Sequence, residues 1–223
     1  MTEDDSARAG AREGAAATRR AVAALRTALL DGDLAPGQRL VEGELAETFG
    51  VSRASVRAAL IDLTADGLVE RIPNRGARVR VVSIEEAVAI TECRMALEGL
   101  CAAKAALAVS DEQIGVLTGL GEQMRAAVAG GDPMKYSALN RELHRLVREY
   151  AAQPVATELL DRLNAQIVRH QFRLSLHPGR PQVSLPEHLA IIDGIAARDP
   201  AAAEAAARAH LSSVIQALQQ SAS

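Results

Sequence analysis

The 223-residue chain has no Trp, two Phe and two Tyr. It therefore lacks the aromatic platforms on which unpaired bases stack, which argues against a single-strand or sequence-specific RNA binder. Cysteine is equally scarce: Cys93 and Cys101 stand eight apart in one expected helix. That spacing suits neither a local disulfide nor a zinc motif, and it fits small buried apolar residues in a reducing cytoplasm. No apolar run approaches the roughly 20 residues of a membrane span, so no membrane association is expected. The first 17 residues, polar and rich in Ala and Gly, lack a signal-peptide core and are expected to form a disordered lead-in. No Ser/His/Asp or Cys/His constellation of a nucleophilic enzyme is visible.

What the chain does have is a dense run from Gly37 to Val79. Leu45 and Phe49 lie one helical turn apart, and Gly50 reads as the C-terminal cap of that short helix. Ser52 reads as the N-cap of a second helix whose Val56, Leu60 and Leu63 share a face, leaving Arg53 and Arg57 outward, one turn apart. A helix crossing its partner through a short turn, with guanidinium groups on its first turns, meets the requirement of major-groove docking. Arginine's planar fork spans O6 and N7 of guanine or grips phosphate.

After Gly67 the hydrophobic period shortens. Leu68 to Ile72 and Ala77 to Val82 read as strands, and Pro73-Asn74-Arg75-Gly76 as the hairpin turn of a wing. Between Ser52 and Arg80 six arginines face three acidic residues, so this surface is basic although the chain is net −3. Double-stranded DNA is the expected partner.

Residues 18–82 closely resemble the winged helix-turn-helix of the GntR family of bacterial transcription regulators. The resemblance rests on Gly37, Leu40, Glu42, Leu45-Ala46, Gly50-Val51-Ser52-Arg53, Val56-Arg57, Gly67-Leu68-Val69 and Pro73-Asn74-Arg75-Gly76. It implies that Ser52, Arg53, Ser55 and Arg57 approach bases and phosphates, and that Arg75 and Gly76 reach the minor groove. Gly43 falls where some relatives carry a DNA-contacting arginine, which implies that this contact is absent here.

From Ser83 on, strand signals vanish and helix caps repeat. Capping boxes open at Ser83, Ser110 and Ser184, and Asp132-Pro133 and Asp199-Pro200 place a cap before an N1 proline. Helices are expected over 84–108, 111–129, 133–151, 154–175, 185–197 and 200–220, with Pro178 to Pro181 as a loop. The fold expected is mainly α: a winged helix-turn-helix followed, over 83–223, by an all-α antiparallel bundle for effector binding and dimerisation.

All five histidines lie in this second region. His144, His188 and His210 sit on apolar stripes of separate helices, so they point inward and could converge on one metal ion. Residues 84–220 resemble the FCD ligand-binding domain of the FadR-type branch of the family, including its R-x-x-x-E at Arg94 and Glu98. Metal-binding members use Asp or Asn four residues before a His, followed by two later histidines. The resemblance thus implies a divalent metal held by Asn140, His144, His188 and His210, zinc as first choice and nickel or manganese as alternatives. Three imidazoles and one oxygen leave open positions for a carboxylate. The resemblance further implies a small organic acid as effector, held by the metal and an arginine, with Arg94 as first choice and Arg169 as second. The alternative for Arg94 is an ion pair with Glu98 on the helix surface.

The function expected is a dimeric, metabolite-responsive repressor, since two recognition helices must sit roughly 34–36 Å apart to read a palindrome. The competing readings are a metal-dependent enzyme acting on a small acid, and a constitutive DNA-binding dimer whose histidines merely pack.

Overall fold

Alanine-rich sequence without β-branched runs coils at the start of the chain, and α1 spans Glu3–Asp31 in the computed structural model, which describes residues 3–73 and 75–221. The lead-in expected to be disordered over 1–17 is therefore helical from Glu3 to residue 17; Met1 and Thr2 lie outside the described residues. Polar composition suggested disorder, but alanine's propensity extends a helix that is anchored further along. Ala21, Leu25 and Leu29 are buried, α1 packs on α3, and each added turn costs little once that nucleus exists.

The chain divides into two compact units, Met1–Val82 and Ser83–Ser223. In the first, α1 is followed by β1 (Arg39–Leu40), α2 (Glu42–Phe49), α3 (Arg53–Ala65), β2 (Val69–Ile72) and β3 (Gly76–Val79). Gly50 caps α2 in the left-handed region at φ 61°, and the Ser52 hydroxyl accepts from the Ser55 N–H to start α3. Leu45, Val56, Ala59, Leu60 and Leu63 fill the space between the helices.

The sheet has the antiparallel order β1-β3-β2, with Val69 opposite Val79 and Ile72 opposite Gly76. Glu70 faces Arg78 across the hairpin, and the two make an ion pair at 2.5 Å. The hairpin is closed by the Arg75 N–H donating to the Ile72 carbonyl at 3.0 Å; Asn74 of the expected turn lies outside the described residues. β1 was not expected, because two residues are too few to show a period.

The second unit consists, among the described residues, of α4 (Ile84–Ala108), α5 (Asp111–Ala129), α6 (Pro133–Ala151), α7 (Pro154–Ser175), α8 (Arg180–Ala196) and α9 (Pro200–Gln220). α4 packs against α6, α7 and α9, α5 against α6 and α8, and α8 against α9. Caps explain the starts: Ser110 and Gln113 form both halves of a capping box, Asp132 accepts from Lys135 N–H, and Asp199 accepts from Ala201 and Ala202 N–H.

One start departs from expectation. α8 begins at Arg180, five residues before the expected Leu185, so Ser184 lies within the helix and Pro186 is carried inside it. The Ser184 hydroxyl donates back to the Arg180 carbonyl at 3.0 Å and is not a cap.

α8 and α9 meet almost backbone to backbone. A Cβ at Gly194 would stand 2.7 Å from the Ala203 nitrogen, closer than packed atoms approach. Gly194→Ala is expected to force the two helices apart and to destabilise the second unit by about 1–3 kcal/mol. The readout is a lower chemical-denaturation midpoint of the bundle transition; an unchanged midpoint would show that the helices separate freely.

Candidate DNA-reading surface and histidine centre

On the first unit, Ser52, Arg53 and Arg57 are exposed at the start of α3, as the arginine pattern predicts. Ser55 departs from expectation: it is 5% exposed and its hydroxyl lies 2.9 Å from that of Ser52. Its side chain is part of the cap that starts α3, so it does not face outward. Arg75 and Gly76 are exposed on the wing, with Gly76 at φ 88°.

Between α3 and the hairpin runs a cleft lined by Arg39, Arg57, Arg71 and Arg75, with Glu42 as its carboxylate. Glu42 accepts from Arg57 Nε at 3.0 and 3.1 Å and from Arg57 Nη2 at 2.7 Å. The Arg57 hydrogen bonds, against the opposing effect of burial, hold the Glu42 carboxyl below its usual range. Four guanidinium groups around one carboxylate leave this face strongly positive, whatever the net charge of the chain.

On the second unit, α6, α8 and α9 bring His144, His188 and His210 together. One ring nitrogen from each lies within 4.8 Å of the others, and the His188 and His210 ring centroids are 4.2 Å apart. Burial of two of them is nearly complete, at 1% for His188 and 4% for His210. His170 and His177 stay out of this set.

Each imidazole has its Nδ1 committed. His144 Nδ1 lies 2.9 Å from Glu98 Oε2, and His210 Nδ1 lies 2.8 Å from Glu187 Oε2. His188 Nδ1 lies 2.8 Å from the Tyr136 hydroxyl, which is 2.8 Å from the Ser184 hydroxyl. The protons of this chain can be assigned by counting donors. Ser184 spends its hydrogen on the Arg180 carbonyl, so Tyr136 must donate to Ser184. His188 Nδ1–H must then donate to Tyr136, which leaves the Nε2 lone pair of His188 bare. That Nε2 is buried without a hydrogen-bond partner, and so is Asn140 Oδ1, one turn before His144 on α6.

Unpartnered acceptors in a dry interior are costly unless something else satisfies them. Imidazole nitrogens with carboxylate or hydroxyl partners behind them, beside a neutral amide oxygen, make a donor set that fits a divalent ion with nitrogen bonds of about 2.0–2.1 Å.

Glu98 ties this centre to Arg94. Its Oε1 accepts from Arg94 Nη2 at 2.7 Å and from Nε at 3.1 Å, while Oε2 faces His144. The ion pair with Glu98 weighed as the alternative for Arg94 is thus formed, but it is buried, at 6% and 5% exposure, and not on the helix surface. Burial would raise the Glu98 carboxyl, but Arg94 and His144 outweigh it and hold the group well below the carboxylate range. Arg94 Nη1 is left buried with no partner.

Arg180, at the start of α8, donates to Ser213 at 2.8 Å and to Glu187 at 3.3 Å. Arg169 lies half-buried on α7. Tyr136, Ser184, Glu187 and Arg180 thus belong to the centre without having been expected there. Only Glu187 carried any signal, as the acidic neighbour of a histidine.

A winged helix-turn-helix with outward arginines, followed by a helical bundle with a buried polar centre, defines a DNA-binding transcription regulator. Comparison with known proteins agrees. The family model described as "Bacterial regulatory proteins, gntR family" matches residues 17–79, and that of the FCD domain matches residues 89–213. The chain belongs to the GntR family of bacterial transcription regulators and carries an FCD domain.

It is 29% identical over 187 residues, 84% of this chain and 82% of the relative, to the HTH-type transcriptional repressor RspR of Escherichia coli strain K12. It is also 29% identical over 195 residues, 86% and 84% of the two chains, to a probable D-xylose utilization operon transcriptional repressor of Paenarthrobacter nicotinovorans. Among solved structures, E. coli McbR/YncC matches with a TM-score of 0.75 over 93% of this chain and 99% of its own, at 22% identity, a likeness of fold alone. Family and relatives are transcription regulators, so the enzyme reading is set aside. Among the described residues, no helix is long and apolar enough to cross a membrane.

Burial and, after it, the neighbouring imidazoles lower the proton affinity of His188; burial likewise lowers that of His210, with Glu187 opposing. In the unfolded chain these groups protonate near pH 6.5, whereas the fold keeps them neutral to lower pH. Keeping them neutral therefore adds no proton-linked penalty above about pH 6.5 and an increasing one below it. The melting temperature of chelator-treated protein is expected to fall as pH drops from about 6.5 to 5. A His188→Asn variant should show a shallower decline; an equal slope would mean that other groups dominate.

Proposed function

We propose that this chain is a homodimeric repressor that reads double-stranded operator DNA and responds to a small carboxylate at a divalent metal in its helical unit. The observation that carries the metal reading is the pair of buried acceptors without partners, His188 Nε2 and Asn140 Oδ1, on helices that also gather His144 and His210. Asn140, His144, His188 and His210 would hold the ion, with zinc first and nickel or manganese as alternatives. Nickel or manganese, which take up to six ligands, would keep positions open to a carboxylate oxygen beyond these four donors, and zinc would do so by expanding its usual four-coordinate shell.

The chain's own residues do the rest. Glu98, Tyr136 and Glu187 hold the rings from behind at Nδ1, which would leave the other nitrogen of each ring for the ion. Arg94 keeps two nitrogens on Glu98 and offers the buried Nη1 to the far end of an anionic effector; Arg169 is the second candidate. A ligand that favours one arrangement of the bundle helices shifts the spacing of two winged units, and with it the fit to a palindrome.

Three measurements test this reading. In equilibrium dialysis, wild-type protein should bind zinc or one of its alternatives, His188→Ala should not, and Tyr136→Phe should bind about 10–100-fold more weakly. A carboxylate panel should then raise the melting temperature of metal-loaded but not chelator-treated protein; no metal uptake would leave a constitutive DNA-binding dimer. On the DNA side, Arg53→Ala should abolish binding in gel-shift titrations of duplexes selected by the wild type, with the melting profile unchanged. Retained affinity would remove Arg53 from the reading surface.

A further inference from the structure

The carboxylate in the arginine-lined cleft calls for an account. A surface meant to attract a polyanion loses affinity for every phosphate by carrying Glu42 there. Glu42 opens α2, and its bond to Arg57 crosses from α2 to α3, so it is not a local helix pair. Both Oε atoms take part, and both bonded donors, Nε and Nη2, lie on one edge of the guanidinium.

Arginine carries five N–H groups in a planar fork. Glu42 occupies the Nε–H and one Nη2–H, which leaves both Nη1 hydrogens and the second Nη2 hydrogen. One hydrogen of Nη1 and the remaining hydrogen of Nη2 form the end of the fork, the pair that spans O6 and N7 of a guanine. The Arg57 side chain is 61% exposed, so this end opens to solvent from the first turns of α3. The same turn of α2 bounds Arg53 as well: a Cβ at Gly43 would come within 3.3 Å of Arg53 Nη2.

We infer that Glu42 is a positioning residue for sequence reading: it grips one edge of Arg57 so that the other end of the fork is presented to guanine in the major groove. This rests on the DNA-reading role of α3. An unheld arginine side chain meets phosphate and base edges in many rotamers, and its attraction is largely indifferent to sequence. Holding one edge surrenders some of that general attraction and concentrates the remainder on one base, so Glu42 lowers affinity for DNA at large and raises discrimination.

The test uses the full chain and a randomised duplex library, with base preference read position by position. Arg57→Lys should lose the preference for one guanine. Glu42→Gln should lose about ten-fold of the preference at that same position and leave the other positions as in the wild type. Its affinity for an unrelated duplex should stay equal or rise. Glu42→Asp keeps the charge on a shorter stem and should lose the preference too, which separates geometry from charge.

Melting temperatures should match the wild type, since an exposed pair contributes little stability. The inference is overturned if Glu42→Gln or Glu42→Asp keeps a guanine preference that Arg57→Lys loses. It is overturned equally if Arg57→Lys changes no position, or if Glu42→Gln weakens all sequences alike. A wild-type chain that selects no sequence would remove the DNA-reading role and the inference with it.

Discussion

An imidazole taken out of water must still place two nitrogens, one as donor and one as acceptor, and the helical unit is organised around that demand. His144, His188 and His210 each turn Nδ1 toward a partner from elsewhere: Glu98 on α4, Tyr136 on α6, Glu187 on α8. Those partners are placed in turn by Arg94, Ser184 and Arg180. Polar networks of this kind rigidify a core when satisfied and cost heavily when broken. The arrangement links α4, α6, α8 and α9, and Leu143, Ile191 and Ile195 of the same helices belong to one buried apolar cluster.

The winged unit follows the opposite strategy. Its arginines stay at the surface, where charge is cheap, and several of them are paired with a carboxylate. Arg78 is tied to Glu70 across the hairpin, Arg26 to Asp66, and Arg57 to Glu42. Each arginine held by a carboxylate contributes less to the general attraction for a polyanion than a free one would, and in the cleft beside α3 that holds for Arg57.

How much of this was legible in the sequence depended on whether the governing contact was local. Ser110 with Gln113, Asp132 before Pro133 and Asp199 before Pro200 bond within their own first turns, so the ends of α5, α6 and α9 could be read directly. Ser184-Leu-Pro-Glu187 imitates the same signal, yet the hydroxyl is used across to Tyr136, which only packing reveals. Ser55 misled in the same way: its neighbours carry the DNA-reading pattern, but its own hydroxyl turns back to Ser52. The convergence of His144, His188 and His210 followed from apolar stripes on three helices, whereas Tyr136 is separated from Ser184 and His188, and Arg180 from Ser213, by dozens of residues, and those pairings left no periodic trace. The N-terminal lead-in was misjudged because polarity was weighed above alanine.

The near contact of Gly194 with Ala203 leaves no room for a side chain between α8 and α9, the helices that carry His188 and His210. α6 is joined to α8 as well, through the Tyr136 hydroxyl and its bonds to Ser184 and His188. Bulk inserted at Gly194 would therefore be felt at a distance, parting the two most deeply buried imidazoles without touching either ring.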